Sequence, residues 1–380
     1  MQQIIEDSLY FYNYNKKCIQ NNIWEELSEG LWQDLNIDAY LYNDSLLSTN
    51  LEKSKQLFPF IQQIIPGTIW NPRTNTLDLD TYSPNKTSEC SFNDFIDISA
   101  NYFESLHAKK IGVHLSGGLD SSLIICLLHK LNIPFVPIGL CSNTFEFRTE
   151  RKIQELLIEW GVDGLLLNIE EYPYYSELDS IPKHQIPDAD IKSVAGARAL
   201  ANAFKDRDVD VVLSGQGGDS LLTEPVNFIH QIRFNIKDEF INYSENDRIY
   251  KPLGLKLESF FANKNIIDLI TTARLGQQDD TLKIWMRHWA KDILPKELSE
   301  FSYCADFFGL TVQGLNDAKP IIKELLEEAF YYTNKPEFSP KSIKRFMLND
   351  ILSFHYKEYI HFCSMISIAS WYHSLLGNKQ

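Results

Sequence analysis

Two glycine-rich segments of the sequence carry groups that can bind a nucleotide. The first runs Ser116-Gly117-Gly118-Leu119-Asp120-Ser121-Ser122, and the second runs Ser214-Gly215-Gln216-Gly217-Gly218-Asp219. Glycines let the backbone approach an anion closely, and the N-terminus of a following helix offers N–H groups to phosphate oxygens. A carboxylate repels phosphate, so Asp120 and Asp219 make sense if Mg²⁺ lies between carboxylates and phosphates.

The spacing of these segments excludes one common phosphate-binding loop. The Walker pattern ends in Gly-Lys followed by Ser or Thr, and no lysine follows either set of glycines. A loop suited to pyrophosphate, with no lysine for the γ-phosphate, favours cleavage between the α- and β-phosphates, so the expected product is an adenylate. One such turn alone is often only a tight turn. The prediction therefore depends on two segments, each after an apolar strand and each with an aspartate.

Alternating strands and helices must position both segments. The sequence predicts strands over 111–115, 135–140, 165–167 and 209–213, and helices over 92–106, 122–131, 149–160 and 192–204. This alternation predicts right-handed βαβ units and an α/β fold with a doubly wound parallel sheet, whose ligands bind beyond the carboxyl ends of the strands. Past about residue 225 the strand signals fade, and helices are expected over 265–273, 283–293, 319–331 and 342–366.

The composition excludes several other classes of protein. The 380 residues carry 36 basic and 51 acidic side chains, a net charge of −15 that argues against a broad nucleic-acid surface. No apolar run approaches the roughly 18 residues of a membrane span. The N-terminus, with Glu6 and Asp7, lacks the pattern of a signal peptide. Six scattered cysteines without a CxxC pair predict reduced thiols, so we expect a cytoplasmic protein.

With these motifs the chain resembles the ATP pyrophosphatase (PP-loop) superfamily, whose signature is SGGxDSS. Residues 213–219 look like the SGxGxD loop of the asparagine synthetase branch, which also contains β-lactam synthetases and lasso peptide cyclases. A third stretch, Lys283-xx-Met286-Arg287-xx-Ala290-xxx-Leu294-Pro295, resembles the K-xxx-R…LP segment of that branch. Residues 258–262 are a fainter echo of its PFLD element. The resemblance covers roughly residues 60–310.

The resemblance implies an ATP- and Mg²⁺-dependent ligase. A substrate carboxylate attacks the α-phosphorus, and an amine then displaces AMP to form an amide. It implies that Asp120 and Asp219 hold the metal and that Asp120, Asp219, Lys283 and Arg287 are catalytic. ATP is expected to contact the two loops and the ends of neighbouring strands, at Leu115, Ser116, Gly117, Gly118, Leu119, Asp120, Ser121, Ser122, Gly139, Leu140, Ser214, Gly215, Gln216 and Gly217.

The N-terminal part departs from the glutamine-hydrolysing members of this branch. Position 2 is Gln2 where those members carry a catalytic cysteine, so we expect no N-terminal nucleophile. We therefore interpret residues 1–85 as a small, reduced glutaminase-like α+β domain, and residues 86–380 as the ATP-binding synthetase domain, helical from about 225. An amine carried by the substrate itself is the simpler expectation, as in lasso peptide cyclases and β-lactam synthetases.

Other departures fall in the synthetase part. Gln216 stands where β-lactam synthetases have tyrosine, and Ser220 stands where glutamate is usual. The positions of the family's R-x-K pair hold Phe301 and Tyr303. Lys283, Arg287 or Lys296 can bring the missing positive charge, and the spacing leaves open which of them does.

The leading hypothesis is an AMP-forming carbon–nitrogen ligase of peptide or natural-product biosynthesis that resembles lasso peptide cyclases. Its substrate carries a carboxylate and an amine, and a peptide fits that description. The alternatives are a catalytically impaired nucleotide-binding descendant of asparagine synthetase and a PP-loop tRNA-modifying enzyme. A homodimer or a biosynthetic partner protein stays open. His114, between Val113 and Leu115, is expected to be packed rather than catalytic.

Overall fold

The computed structural model describes two compact units of the chain. The described residues are 3–5, 11–13, 18–20, 61–63, 68–71, 74, 76–79, 90–182, 187, 189–223, 248–274, 282–300, 307–348, 354 and 356–376. We call residues 81–172 and 196–306 the sheet unit, and residues 1–80, 173–195 and 307–380 the helical unit. The domains predicted over residues 1–85 and 86–380 stay a prediction.

The described strands and helices alternate through the middle of the chain. The strands are β1 (Gln3–Ile5), β2 (Phe11–Asn13), β3 (Cys18–Gln20), β4 (Ile61–Gln63), β5 (Thr68–Asn71), β6 (Thr76–Leu79), β7 (Ile111–His114), β8 (Phe135–Cys141), β9 (Leu165–Asn168), β10 (Val211–Ser214) and β11 (Lys256–Ser259). The helices are α1 (Phe92–Ser105), α2 (Leu119–Lys130), α3 (Arg148–Ile158), α4 (Val194–Lys205), α5 (Gly218–Thr223), α6 (Lys264–Ala273), α7 (Ile284–Trp289), α8 (Lys296–Ser299), α9 (Phe308–Asp317), α10 (Lys319–Thr333), α11 (Pro340–Leu348) and α12 (Tyr356–Leu376).

The sheet unit is built on a five-stranded parallel sheet with the order β11-β10-β7-β8-β9. Ile111 of the central strand pairs with Phe135 on one side and with Val211 on the other. The chain adds β8 and β9 on one side of β7, then crosses to add β10 and β11 on the other. The reversal lies between β7 and β10, where open α/β sheets bind their ligands. The predicted doubly wound α/β fold is confirmed.

Helix α2 anchors the end of β7 in the core of the sheet unit. Its residues from Leu123 to Leu128 are all at most 1% exposed. A helix that is apolar on every side is stable only where it is packed on every side. Its N-terminus, which follows the first glycine-rich segment, is therefore held in one place relative to the strands.

The structure corrects three predictions made past residue 225. The strand β11 was missed because Lys256 and Glu258 alternate with Leu257 and Ser259, an edge pattern with a single large apolar residue. The helix predicted over 283–293 ends at Trp289, and turn hydrogen bonds lead from there to Pro295. The helix predicted over 342–366 consists of two helices, α11 and α12, with Phe354 in a bend between them.

The helical unit has two small antiparallel sheets, with the orders β1-β5-β6 and β3-β2-β4, and the helices α9 to α12. The strand β6 lies at one edge of the first of these sheets, where it pairs with β5. The expectation of a mostly helical C-terminal part is confirmed for the residues described there. Nowhere in the described ranges is a helix long and apolar enough to cross a membrane.

Candidate functional site

The first glycine-rich segment forms a tight turn between β7 and α2. Gly117 has φ +84°, and a Cβ atom there would lie 2.5 Å from the carbonyl oxygen of Glu150, so the position requires glycine. The hydroxyl of Ser116 lies 2.8 Å from that of Ser121 and accepts a hydrogen bond from the Gly118 amide. No side chain caps α2 at Gly118. The turn thus presents the backbone at the start of α2, the arrangement that binds anions.

The second segment forms a similar turn between β10 and α5. Gly217 has φ +82°, and the amide of Gln216 donates to the hydroxyl of Ser214 at 3.1 Å. The hydroxyl of Ser259, the last residue of β11, donates to the carbonyl of Gln216 at 2.7 Å. The missed edge strand therefore holds the second loop in position.

The two loops touch each other, because β7 and β10 are neighbours in the sheet. A Cβ atom on Gly215 would lie 2.6 Å from the Ser121 amide nitrogen. One on Gly218 would lie 2.5 Å from Cγ of Asp120. These two glycines therefore let α5 approach α2 closely enough to bring Asp219 near Asp120.

Lys283 joins the aspartates of the two loops. Its Nζ lies 2.7 Å from both Oδ1 and Oδ2 of Asp120 and 2.6 Å from Oδ1 of Asp219. Lys283 precedes α7 and has φ +55°, a left-handed conformation uncommon outside glycine. Of the four residues that the resemblance predicts to be catalytic, Lys283 thus contacts two, Asp120 and Asp219.

The electrostatics of this cluster are asymmetric. The side chain of Asp120 is 16% exposed, whereas that of Asp219 is 81% exposed. Burial raises the pKa of Asp120 to about 6, against the opposing effect of the Lys283 charge. Burial lowers the pKa of Lys283, but the charges and hydrogen bonds of the two aspartates outweigh it and hold that pKa above its ordinary value. The ammonium ion therefore stays protonated at neutral pH.

Arg287, the fourth predicted catalytic residue, is buried and donates to the backbone. Its Nε donates to the carbonyl of Leu282 at 2.9 Å, and its Nη1 donates to the carbonyl of Leu298. Its amide also donates to the carbonyl of Lys283 at 3.1 Å. Arg287 therefore fixes the turn that carries Lys283, and its charge helps to lower the pKa of Asp120. A contact between Arg287 and a phosphate stays a prediction.

The predicted adenine edge, at Leu115, Gly139 and Leu140, is organised by Gln154, which sequence reasoning missed. The Gln154 amide nitrogen donates to the carbonyls of Leu115 at 2.9 Å and of Leu140 at 2.8 Å. Gly139 lies against Leu115, whose carbonyl oxygen would be 2.0 Å from a Cβ atom there. The available signal was a polar residue on the buried face of α3, beside Ile153.

Two further residues hold α5, the helix that begins with the second loop. Nη1 of Arg274, 1% exposed, donates to the carbonyl of Leu221 at 2.5 Å. Nε1 of Trp285 donates to the carbonyl of Leu222 at 3.0 Å, and the guanidinium carbon of Arg274 lies 5.5 Å from the centroid of the Trp285 ring. Both residues were missed, because their partners are carbonyl groups more than 50 positions away.

The remaining predicted residues differ in accessibility. Ser116 and Gly118 are exposed, whereas Leu119 is buried and Ser122 is 0% exposed. His114 packs as expected, with Nε2 2.8 Å from the hydroxyl of Tyr250. Ser220 is buried directly after Asp219. Phe301 and Tyr303 lie outside the described residues.

The donors at the loops suit a hard cation. Magnesium prefers oxygen ligands and is commonly held by one or two carboxylates together with phosphate oxygens and water. Asp120 and Asp219 supply two carboxylates that already meet at one positive charge. Within the ranges described here, no group of three or more His, Cys, Asp or Glu residues can hold a metal. The carboxylate pair therefore fits Mg²⁺ whose remaining coordination positions are filled by phosphate oxygens and water.

The residues of this site lie within the part of the chain that matches a known protein family. The asparagine synthase family model matches residues 106–355, more than half of the chain, and the match includes both loops and Lys283. Among solved structures, the NMN synthetase from Francisella tularensis is similar over 68% of this chain and 99% of its own. That similarity has 15% sequence identity and a TM-score of 0.27. No curated protein matches the sequence.

Proposed function

The chain belongs to the asparagine synthase family of ATP-dependent ligases, and on that premise we propose that it adenylates a substrate carboxylate and joins it to an amine. The observation that carries the proposal is the contact of Lys283 with both Asp120 and Asp219. It places one positive and two negative charges beside the start of α2, at the reversal point of a parallel sheet, where phosphates bind in such folds.

In this proposal the two loops bind the triphosphate of ATP. The backbone at the start of α2 and the exposed hydroxyl of Ser116 hydrogen bond to phosphate oxygens, while Gly117 and Gly217 keep the backbone free of side chains. Asp120 and Asp219 hold Mg²⁺, which supplies charge neutralisation on the phosphates when bound. Lys283, which contacts both aspartates, supplies a positive charge to the same phosphates.

The reaction has two steps. A carboxylate oxygen of the substrate attacks the α-phosphorus, and the bond from that phosphorus to the bridging oxygen breaks, so that pyrophosphate leaves. The amine nitrogen then attacks the acyl carbon, the bond from that carbon to the AMP oxygen breaks, and the amine loses one proton. The site accelerates both steps through positioning and charge stabilisation.

We propose that the amine belongs to the substrate itself. This part of the proposal follows the resemblance to lasso peptide cyclases and β-lactam synthetases, whose substrates carry their own amine. A substrate that carries both groups becomes a cyclic amide, as in the macrolactams made by lasso peptide cyclases. A precursor peptide of a natural-product pathway is therefore the proposed substrate, with the reaction in the cytoplasm.

The test is exchange of labelled pyrophosphate into ATP in the presence of candidate acids and peptides. We expect exchange that depends on the acid and on Mg²⁺. Asp219→Asn changes a largely exposed side chain, so the variant should fold as wild type does. It should reduce the exchange rate at least about 100-fold. Asp292→Asn, at an exposed position of the same unit, is the matched control and should retain wild-type exchange.

The outcomes separate the alternatives. Binding of ATP without exchange for any acid or peptide would reject the ligase and support the impaired descendant that Phe301, Tyr303 and Ser220 suggest. Tight binding of tRNA would instead support a tRNA-modifying enzyme.

A further inference from the structure

We propose that Lys283 occupies the position of a divalent cation between Asp120 and Asp219 as long as no nucleotide is bound. Metal binding then requires the ammonium group to leave, so the free protein binds divalent cations weakly. The part of this inference that concerns nucleotide rests on the proposed function; the part that concerns free metal does not.

Lys283 engages three of the four carboxylate oxygens of Asp120 and Asp219. An ammonium group has three N–H donors. Its nitrogen here lies within 2.7 Å of three oxygens, two on Asp120 and one on Asp219. These oxygens are the ones that would bind a metal shared by the two side chains.

The backbone of Lys283 is fixed, so that only its side chain can vacate the position. The bonds from Arg287 to the carbonyls of Leu282 and Lys283 hold the residue at the start of α7. Its side chain, 10% exposed, reaches from this turn to both aspartates. Four methylene groups with rotatable bonds connect that fixed turn to the charge.

The charges argue against a divalent cation and the Lys283 ammonium both lying between Asp120 and Asp219. Two carboxylates and one ammonium carry a net charge of −1, and a divalent cation beside the ammonium places like charges in contact in a partly desolvated site. Nucleotide phosphates offer the ammonium other acceptors, with short charge-assisted hydrogen bonds. Nucleotide binding should therefore release the carboxylates to the metal, and by linkage metal should strengthen nucleotide binding by the same factor.

The test is titration of the full chain with Mn²⁺ in the absence of nucleotide, with free Mn²⁺ measured by electron paramagnetic resonance. Wild type should bind Mn²⁺ weakly, and Lys283→Met should bind one Mn²⁺ at least about tenfold more tightly. Lys283→Arg keeps the charge and should behave as wild type. Lys291→Met, which removes an exposed lysine of the same unit, is the matched control and should change nothing.

A second substitution locates the metal. Adding Asp219→Asn to Lys283→Met should abolish the gain, because it removes one of the two carboxylates. If Lys283→Met binds Mn²⁺ no more tightly than wild type, or if the gain survives Asp219→Asn, the proposal is wrong.

Wild type alone also tests the proposal should Lys283→Met not fold. A tight Mn²⁺ site in the nucleotide-free wild type that Asp219→Asn abolishes would overturn it. A tight site that forms only with α,β-methylene-ATP present would support it. Failure of the proposed function appears separately, as absence of pyrophosphate exchange, and leaves the Mn²⁺ result without nucleotide unaffected.

Discussion

Gly218 lies against the carboxylate of Asp120, so closely that a Cβ atom on the glycine would be 2.5 Å from Cγ and 2.6 Å from Oδ2 of the aspartate. No methyl group fits there unless α5 or Asp120 moves. This packing sets the separation of the two loops. A single carbon atom added at Gly218 would therefore change the geometry of the site.

Gly218→Ala should therefore lower ATP affinity at least about tenfold and lower the free energy of unfolding by about 1–3 kcal/mol, as overpacking of a dense region does. The measurements are calorimetric ATP titration and urea unfolding. Gly118→Ala is the matched control for stability, since its Cβ would meet nothing closer than 3.4 Å and its φ is −75°. Equal stability losses in the two variants would contradict the packing argument.

Replacement of Gln154 by methionine should destabilise the sheet unit, because the carbonyls of Leu115 and Leu140 lose a shared donor. Leaving a buried carbonyl without a partner costs about 1–3 kcal/mol. The urea midpoint of unfolding should fall, and ATP affinity should fall with it if adenine binds at this edge. Glu155→Gln, at the exposed neighbouring position, should leave both values unchanged.

A substitution of Arg287 can distinguish its hydrogen bonds to the backbone from its positive charge. Arg287→Lys keeps the positive charge but cannot reach the carbonyls of both Leu282 and Leu298, so the turn before α7 should loosen. We expect a loss of about 2–4 kcal/mol in the free energy of unfolding and a lower exchange rate. Full stability with a lower exchange rate would instead indicate that Arg287 acts on substrate. His288→Gln, at an exposed position, is the control.

The stability of the protein should fall below pH 6.5 because of His114. Burial lowers its pKa to about 4, whereas an unfolded chain has a histidine pKa of about 6.5. Between these values the unfolded state binds the proton and the folded state does not. This stabilisation is therefore complete above pH 6.5 and is lost as pH falls toward 4, by about 1.4 kcal/mol per pH unit.

His114→Gln tests this pH dependence. The change in the free energy of unfolding between pH 7 and pH 5 should be about 2 kcal/mol smaller in the variant than in wild type. Unfolding in urea at pH 7 and at pH 5 measures this change in both proteins. An identical pH dependence in the two proteins would show that His114 titrates in the folded state as it does in the unfolded chain.

The features that could be predicted from the sequence are local ones. Both loops could be predicted because the pattern, a glycine-rich segment directly after an apolar strand, is contained in about ten consecutive residues. The strands β7 and β10 were predicted to within two residues at each end, since each is a short apolar run. Strand β11 was missed because one apolar residue between two polar ones does not distinguish an edge strand from a loop.

The contacts that complete the site are distant in the sequence and could not be predicted in the same way. The resemblance indicated Lys283, but its contact with Asp120 joins residues 163 positions apart. Gln154, Arg274 and Ser259 bind backbone carbonyls, which look alike in every sequence. Their roles depend on where the fold brings those carbonyls, so they became visible only in the structure.

The contact across 163 positions also has a consequence for how the protein is made. Asp120 and Asp219 precede Lys283 by 163 and 64 positions, so during synthesis both aspartates are made before their shared counterion. Domains begin to fold while the chain is still growing, at about 5–20 residues per second. At this rate the 64 positions between Asp219 and Lys283 take several seconds, during which the growing chain carries both carboxylates without this counterion.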